Sequence, residues 1–154
     1  MTPKKLFQIF ATAEVFTWGA LITGLILRAT VGVEPLAFAI VGGIHGAAFL
    51  AYGVTAVLVA VNNRWKFGRA VLAVLLAIVP FATLPFELWL KKNAQLEGEW
   101  RREHSGHPRD DHWFDRLYRW FLNRPILLAA ALVLAVVVIF ITLLLIGPPG
   151  GSKN

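Results

Sequence analysis

Hydrophobic and polar positions alternate on a coarse scale, with four long apolar stretches separated by short polar segments. The stretches run over residues 6–27, 36–61, 70–90 and 126–146. Each reaches the roughly 20 residues that a helix needs to cross a bilayer. The pattern therefore predicts an all-α polytopic membrane bundle of four transmembrane helices. A soluble domain of 154 residues could not bury four such helices, and 57% of the residues are hydrophobic. Charged residues make up only 16% of the chain, against about 25% in soluble domains.

The connections predict three regions. Short turns at residues 29–35 and 62–69 favour antiparallel neighbours, so residues 1–92 read as one three-helix membrane unit. Pro35 suits the first turn of the second helix, where its missing N–H costs nothing. Residues 93–125 read as a charged extramembrane loop, and residues 126–154 as a C-terminal anchor with a tail. The stretch Lys91–Arg124 holds eight of the fifteen Lys and Arg residues, six of the nine acids and three of the four histidines. Its first part, KKNAQLEGEWRRE, is expected to prolong the third helix beyond the membrane. Farther on, Trp113, Phe114, Leu117, Tyr118 and Phe121 recur at helical spacing, with Asp115, Arg116 and Arg119 on the other side. An aromatic face beside a basic one predicts an interfacial amphipathic helix over about 110–122. The fourth stretch carries nothing more polar than Thr142, and Gly147-Pro148-Pro149-Gly150-Gly151 ends it in a flexible tail.

Charge bears on topology and on partners. Four crossings distribute the basic residues six against nine. A third segment that turns back at Pro80 or Pro85 collects thirteen on one side, leaving Arg28 and Lys153 on the other. The positive-inside rule favours the second arrangement. A non-helical turn in hydrocarbon, however, is tolerated only where protein or water covers it, and four crossings are retained. The net charge of +6 reads as flanks facing anionic headgroups of the bilayer, not as a nucleic-acid groove. The first span follows Lys4-Lys5 and reads as retained, because its apolar pattern continues past Glu14 to Leu27.

Candidate chemistry is concentrated in the first two spans. Titratable groups in hydrocarbon mark a partner, a wet cavity or a site. Glu14 lies roughly 12 Å below one face and His45 roughly 13 Å below the other, so in a core about 30 Å thick they approach one level. A polar site of Glu14, His45, Tyr52 and Trp18 follows, with Thr12 and Thr17 nearby. Gly42, Gly43 and Gly46 are expected to let the helices close on each other, with Ala20 and Gly24 a weaker counterpart. Three readings stand: a clamp that fixes helix register, a proton- or ligand-handling pair, or two residues that do not meet. A structural ion pair between Arg28 and Glu87 is also expected. His104, His107 and His112 are weak metal candidates, since Gly106 and Pro108 break any regular spacing and arginines lie close by. There is no cysteine, nucleophile–base arrangement or nucleotide-binding motif, so neither an enzyme nor a cofactor is predicted.

Several of these residues carry a resemblance. Ala13-Glu14, the run from Val41 to Tyr52 with His45-Gly46, Phe49 and Tyr52 at its centre, and Pro80-Phe81 resemble a family of small bacterial integral membrane proteins. That family is YdzA-like, a domain of unknown function (DUF3817). The resemblance covers about residues 5–92 and implies packed membrane helices, without an activity, cofactor or partner. Two functional expectations stand together. One is a non-enzymatic subunit or assembly factor of a larger complex in the bacterial cell membrane, with a membrane-protein partner or a homo-oligomer. The other is an oligomeric proton-linked transporter or channel using Glu14 and His45.

Overall fold

A computed structural model describes residues 1–146, apart from the side chain of Arg109. The tail over residues 147–154, including the expected flexible segment, lies outside the described residues. All regular structure among the described residues is helical: α1 (Pro3–Thr30), α2 (Pro35–Asn62), α3 (Phe67–Leu75), α4 (Thr83–Lys92), α5 (Trp113–Leu122) and α6 (Pro125–Ile146), with short 3-10 turns at Leu76–Ile78 and Pro108–Asp111. Three of these, α1, α2 and α6, are long and apolar enough to cross a membrane. The chain divides into two compact units, Met1–Trp100 and the part from Arg101 onward.

In the first unit the prolines set the helix starts. Pro3 opens α1 behind the Thr2 cap, whose hydroxyl accepts from the Lys5 N–H at 3.2 Å, and Pro35 opens α2. The first helix ends where the Gly32 N–H donates to the Leu27 carbonyl at 3.1 Å. That closure puts Gly32 at φ +77, a conformation glycine adopts without steric cost. Pro3, Phe7, Ala11 and Glu14 form the buried stripe of α1, at the three- and four-residue spacing of one helix face.

The expected third span over residues 70–90 is not one helix. Val79 is extended, with φ −95 and ψ 119, as the residue before a proline prefers. Pro80 supplies no N–H to continue the helix, and Phe81 turns the chain with φ 64. In place of a long helix over this segment the chain forms a hairpin, α3–turn–α4, beside the three helices long enough to span. Both ends of this hairpin return to the same end of the unit. There, the Gln95 carbonyl accepts from Asn63 at 2.8 Å and from Trp65 at 2.9 Å, while Lys4 pairs with Glu97 at 2.7 Å. Residues 93–100 consequently fold onto the first unit instead of prolonging a helix, with Leu96 fully buried and Trp100 donating to the Met1 carbonyl at 2.7 Å.

The second unit contains α5 and α6 and is organised around Asp110, which is fully buried. Its carboxylate accepts from the Ser105 backbone N–H at 2.6 Å and the Ser105 hydroxyl at 2.8 Å. Arg101 and Arg119 approach it at 3.4 and 3.5 Å. Arg101 also pairs with Asp115 at 2.5 Å. Tyr118 packs beneath the Arg101 guanidinium; burial pushes its phenol pKa up, with Arg101 opposing and Asp115 adding to the rise. The interfacial-helix segment expected over 110–122 is α5 with the preceding 3-10 turn. No residue of α6 is buried.

Candidate functional site within the first helical unit

The tip of the hairpin lies halfway along α1 and α2, and three side chains fasten it there. The Trp18 indole donates to the Ala77 carbonyl at 3.1 Å. That carbonyl is the one whose helical partner is lost at the turn, so the indole replaces a missing backbone donor. Tyr52 donates its hydroxyl to the Ala73 carbonyl at 3.1 Å, and Thr83 donates to the Ala11 carbonyl at 3.3 Å. Phe7 seals one side against Tyr52 and Trp65, with ring centroids 5.5 and 6.0 Å away.

Glu14 sits among these contacts, fully buried. Neither of its carboxyl oxygens has a hydrogen-bond partner. Trp18, one turn along the same helix, is its neighbouring side-chain donor, yet the indole N–H is directed at Ala77. The side-chain donors around it are aimed at backbone carbonyls: Trp18 at Ala77, Tyr52 at Ala73, Thr83 at Ala11 and Thr17 at Glu14. Removing a buried donor or acceptor from water without a partner costs free energy, and such a group calls for an account beyond packing.

His45 is buried at the same level. Its Nδ1 lies 3.2 Å from the Thr17 hydroxyl, which also reaches the Glu14 backbone carbonyl at 3.1 Å. The imidazole packs on Trp18 with centroids 4.5 Å apart and faces Phe49 at 6.4 Å. Glu14 and His45 are thus brought to one level of the bundle, linked through Thr17 and Trp18, without a direct hydrogen bond between their side chains. Thr12, by contrast, points outward.

Two packing expectations change. A Cβ built on Gly42 would meet nothing within 4 Å, whereas one on Gly24 would touch Phe38 at 3.5 Å. Gly24 thus faces the Phe38 ring of α2, and Gly42 faces open space. Gly43 and Gly46 are half-buried on α2. The Arg28–Glu87 pair does not form, because the third segment doubles back. Glu87 lies instead beside the start of α1, where Lys91 pairs with it at 2.5 Å and Gln8 donates to it at 3.3 Å. Arg28, at the far end of α1, lies over the Phe38 ring at 4.9 Å.

Sequence reasoning passed over Thr83, Gln8 and Asp110. A threonine between two prolines was a usable signal for Thr83, since a turn in an apolar segment needs a local polar fastener. Nothing local marks Asp110, which is one acid among six in its loop. His104 donates from Nε2 toward Asp111 at 3.3 Å and accepts the Gly106 N–H at Nδ1 at 3.1 Å. Among the described residues no three His, Cys, Asp or Glu side chains converge as a metal site.

The segment containing the hairpin and its polar contacts, residues 4–92, matches the family described as a domain of unknown function, DUF3817. The chain belongs to that family. It is also similar to a protein of Streptomyces coelicolor named "Putative membrane protein SCO5905", with 37% identity over 93 residues. The match takes in 60% of this chain but only 11% of that relative. No solved structure matches. The chain is thus a membrane protein of an uncharacterised domain family, and Glu14, Trp18, His45, Tyr52 and Thr83 all lie inside the family unit.

Proposed function

We propose that this chain is a non-enzymatic subunit of a larger assembly in the bacterial cell membrane. In this reading α1, α2 and α6 cross the bilayer, and α3–α4 enters it as a re-entrant hairpin. Thirteen of the fifteen basic residues then lie on one side, which makes the side of the N-terminus cytoplasmic.

The observation that carries the reading is the hairpin tip. Ile78, Val79, Pro80 and Phe81 are exposed at the level of Trp18 and Ala11, deep inside the bilayer. Irregular backbone at that depth has to be covered by protein or by water, and the exposed side chains of the tip are apolar and offer water nothing. Protein is then the cover, and in this reading a partner helix supplies it. The relative that holds the same unit as 11% of a far longer membrane protein is in keeping with a module that works attached to others.

Purification in mild detergent is expected to recover associated membrane protein, and a photo-cross-linking residue at Val79 to form protein adducts. A lone monomer giving only lipid adducts at Val79 would sink the proposal. A second reading, an oligomeric proton-linked transporter or channel, is favoured by the unpartnered carboxyl of Glu14. It predicts pH-dependent flux in proteoliposomes that Glu14→Gln and His45→Phe abolish. Absence of such flux, or variants equal to the parent, excludes it.

A further inference from the structure

The second unit is built the opposite way round from a soluble domain. Its folded interior is ionic: Asp110 is 0% exposed, Arg101 10%, and Asp115 and Arg119 13% each. Its outer surface is aromatic: Trp113 is 61% exposed, Phe114 44%, Leu117 45% and Trp120 44%. Along α5 the two classes fall on opposite faces. Tyr118 and Leu122 turn inward with Asp115 and Arg119, while residues 113, 114, 117 and 120 share the outer face. An exposed, contiguous face of this kind in water would mark an interaction site.

We propose that this outer face of α5 docks on the headgroup region of an anionic lipid bilayer. Three observations favour lipid over protein as the occupant. Only Asn123 and Arg124 separate α5 from the apolar helix α6, so the face is continuous with a membrane-spanning segment. Trp and Phe at such a boundary match the aromatic belt of membrane interfaces. The cations beside the face are also placed for phosphate. Arg116 is exposed on the flank of the aromatic face, one helical step round from Trp113 and Trp120. The Arg124 guanidinium lies 4.2 Å over the Trp120 ring, with its charge at the aromatic boundary. Arg101 and Arg119 are meanwhile held inward by the carboxylates. The ionic knot thus serves to hold Asp115 and Arg119 away from the lipid and present the rings of α5 to it. The inference rests on the reading of α6 as a membrane span.

Because the chain contains no cysteine, single nitroxide labels can be introduced without background. Labels at residues 114, 117 and 116 on α5, and at 138 on α6, are compared in the full chain reconstituted with phosphatidylglycerol or with phosphatidylcholine alone. The expected result is oxygen access with shielding from a polar nickel complex at 114 and 117, and nickel access at 116. Arg116→Gln and Arg124→Gln each reduce the docked spectral component in phosphatidylglycerol vesicles roughly fivefold relative to the free one. Nickel access at 114 and 117 with 138 still in lipid overturns the docking proposal alone. Nickel access at 138 as well overturns the spanning reading beneath it. Shielding of 114 and 117 from both reagents means that protein covers the face, and overturns lipid as the occupant. Equal docking in both lipids overturns the role of the two arginines.

Discussion

Two buried carboxylates, one in each unit, are treated in opposite ways. Asp110 receives a backbone N–H, a serine hydroxyl and two guanidinium groups. Glu14 receives no hydrogen bond at either oxygen. Both are fully buried, so burial alone does not distinguish them. Asp110 is explained by the unit it organises: without it, two arginines would be left inside with one fewer counter-ion. The difference teaches that burial of a carboxylate comes with ionic pairing in one unit and without it in the other, so the cost of replacing each separates a clamp from a group free to do something else.

The contrast can be broken first at Asp110. Asp110→Ala is expected to cost about 3–5 kcal/mol, because one partner of a buried ionic network is removed and the others stay. Protease cleavage between Arg101 and Leu122 should then become rapid while the first unit stays resistant. Continued resistance of the Arg101–Leu122 segment would show that the knot is ornamental to the fold of α5.

The next effects concern the hairpin fasteners. Trp18→Phe preserves most of the ring packing but leaves the Ala77 carbonyl without its donor, at a cost of about 1–3 kcal/mol. Thermal unfolding in detergent measures the loss, and labelling of a cysteine at Val79 should accelerate as the tip loosens. Tyr52→Phe removes the bond to Ala73, a carbonyl within α3, and is expected to cost about 1 kcal/mol. If Tyr52→Phe proved the more damaging of the two, the turn would not be the weak point of the hairpin.

The smallest effect sharpens the comparison most. Glu14→Gln keeps the volume of the side chain and breaks no ion pair, and alters at most the weak approach of the Trp18 indole, so its effect on thermal stability should stay below about 1 kcal/mol. A loss as large as that at Asp110 would make Glu14 a structural residue after all. It would also remove the observation on which the transporter reading stands.

Much of the architecture was legible residue by residue. Thr2-Pro3 and Pro35 mark helix starts, Gly32 marks a helix end, and the outer spans are recognisable because hydrocarbon thickness fixes how many apolar residues a crossing needs. The third segment was misread for a physical reason. Hydropathy records that residues 70–90 prefer an apolar medium, but not whether they cross it or turn within it. Val79-Pro80-Phe81 carried the turn, and the charge distribution had pointed to it. Lipid exposure weighed against a bare turn, yet the tip is tied from below by Trp18, Tyr52 and Thr83, residues remote in sequence.

The sequence by itself determined that the chain enters a membrane, where its long apolar helices lie to within a few residues, and which few polar residues enter with them. These follow from local chemistry: hydropathy summed over a span, proline and glycine backbone limits, and the period of a helix. Only the tertiary structure decided that Glu87 meets Lys91 and Gln8 instead of Arg28, that Gly24 and not Gly42 faces a side chain of the other helix, and that α5 turns Asp115 and Arg119 inward. It also decided that Glu14 is left without a partner. Each of these depends on where a distant segment returns, and side-chain pairing is fixed by that return rather than by spacing along the chain.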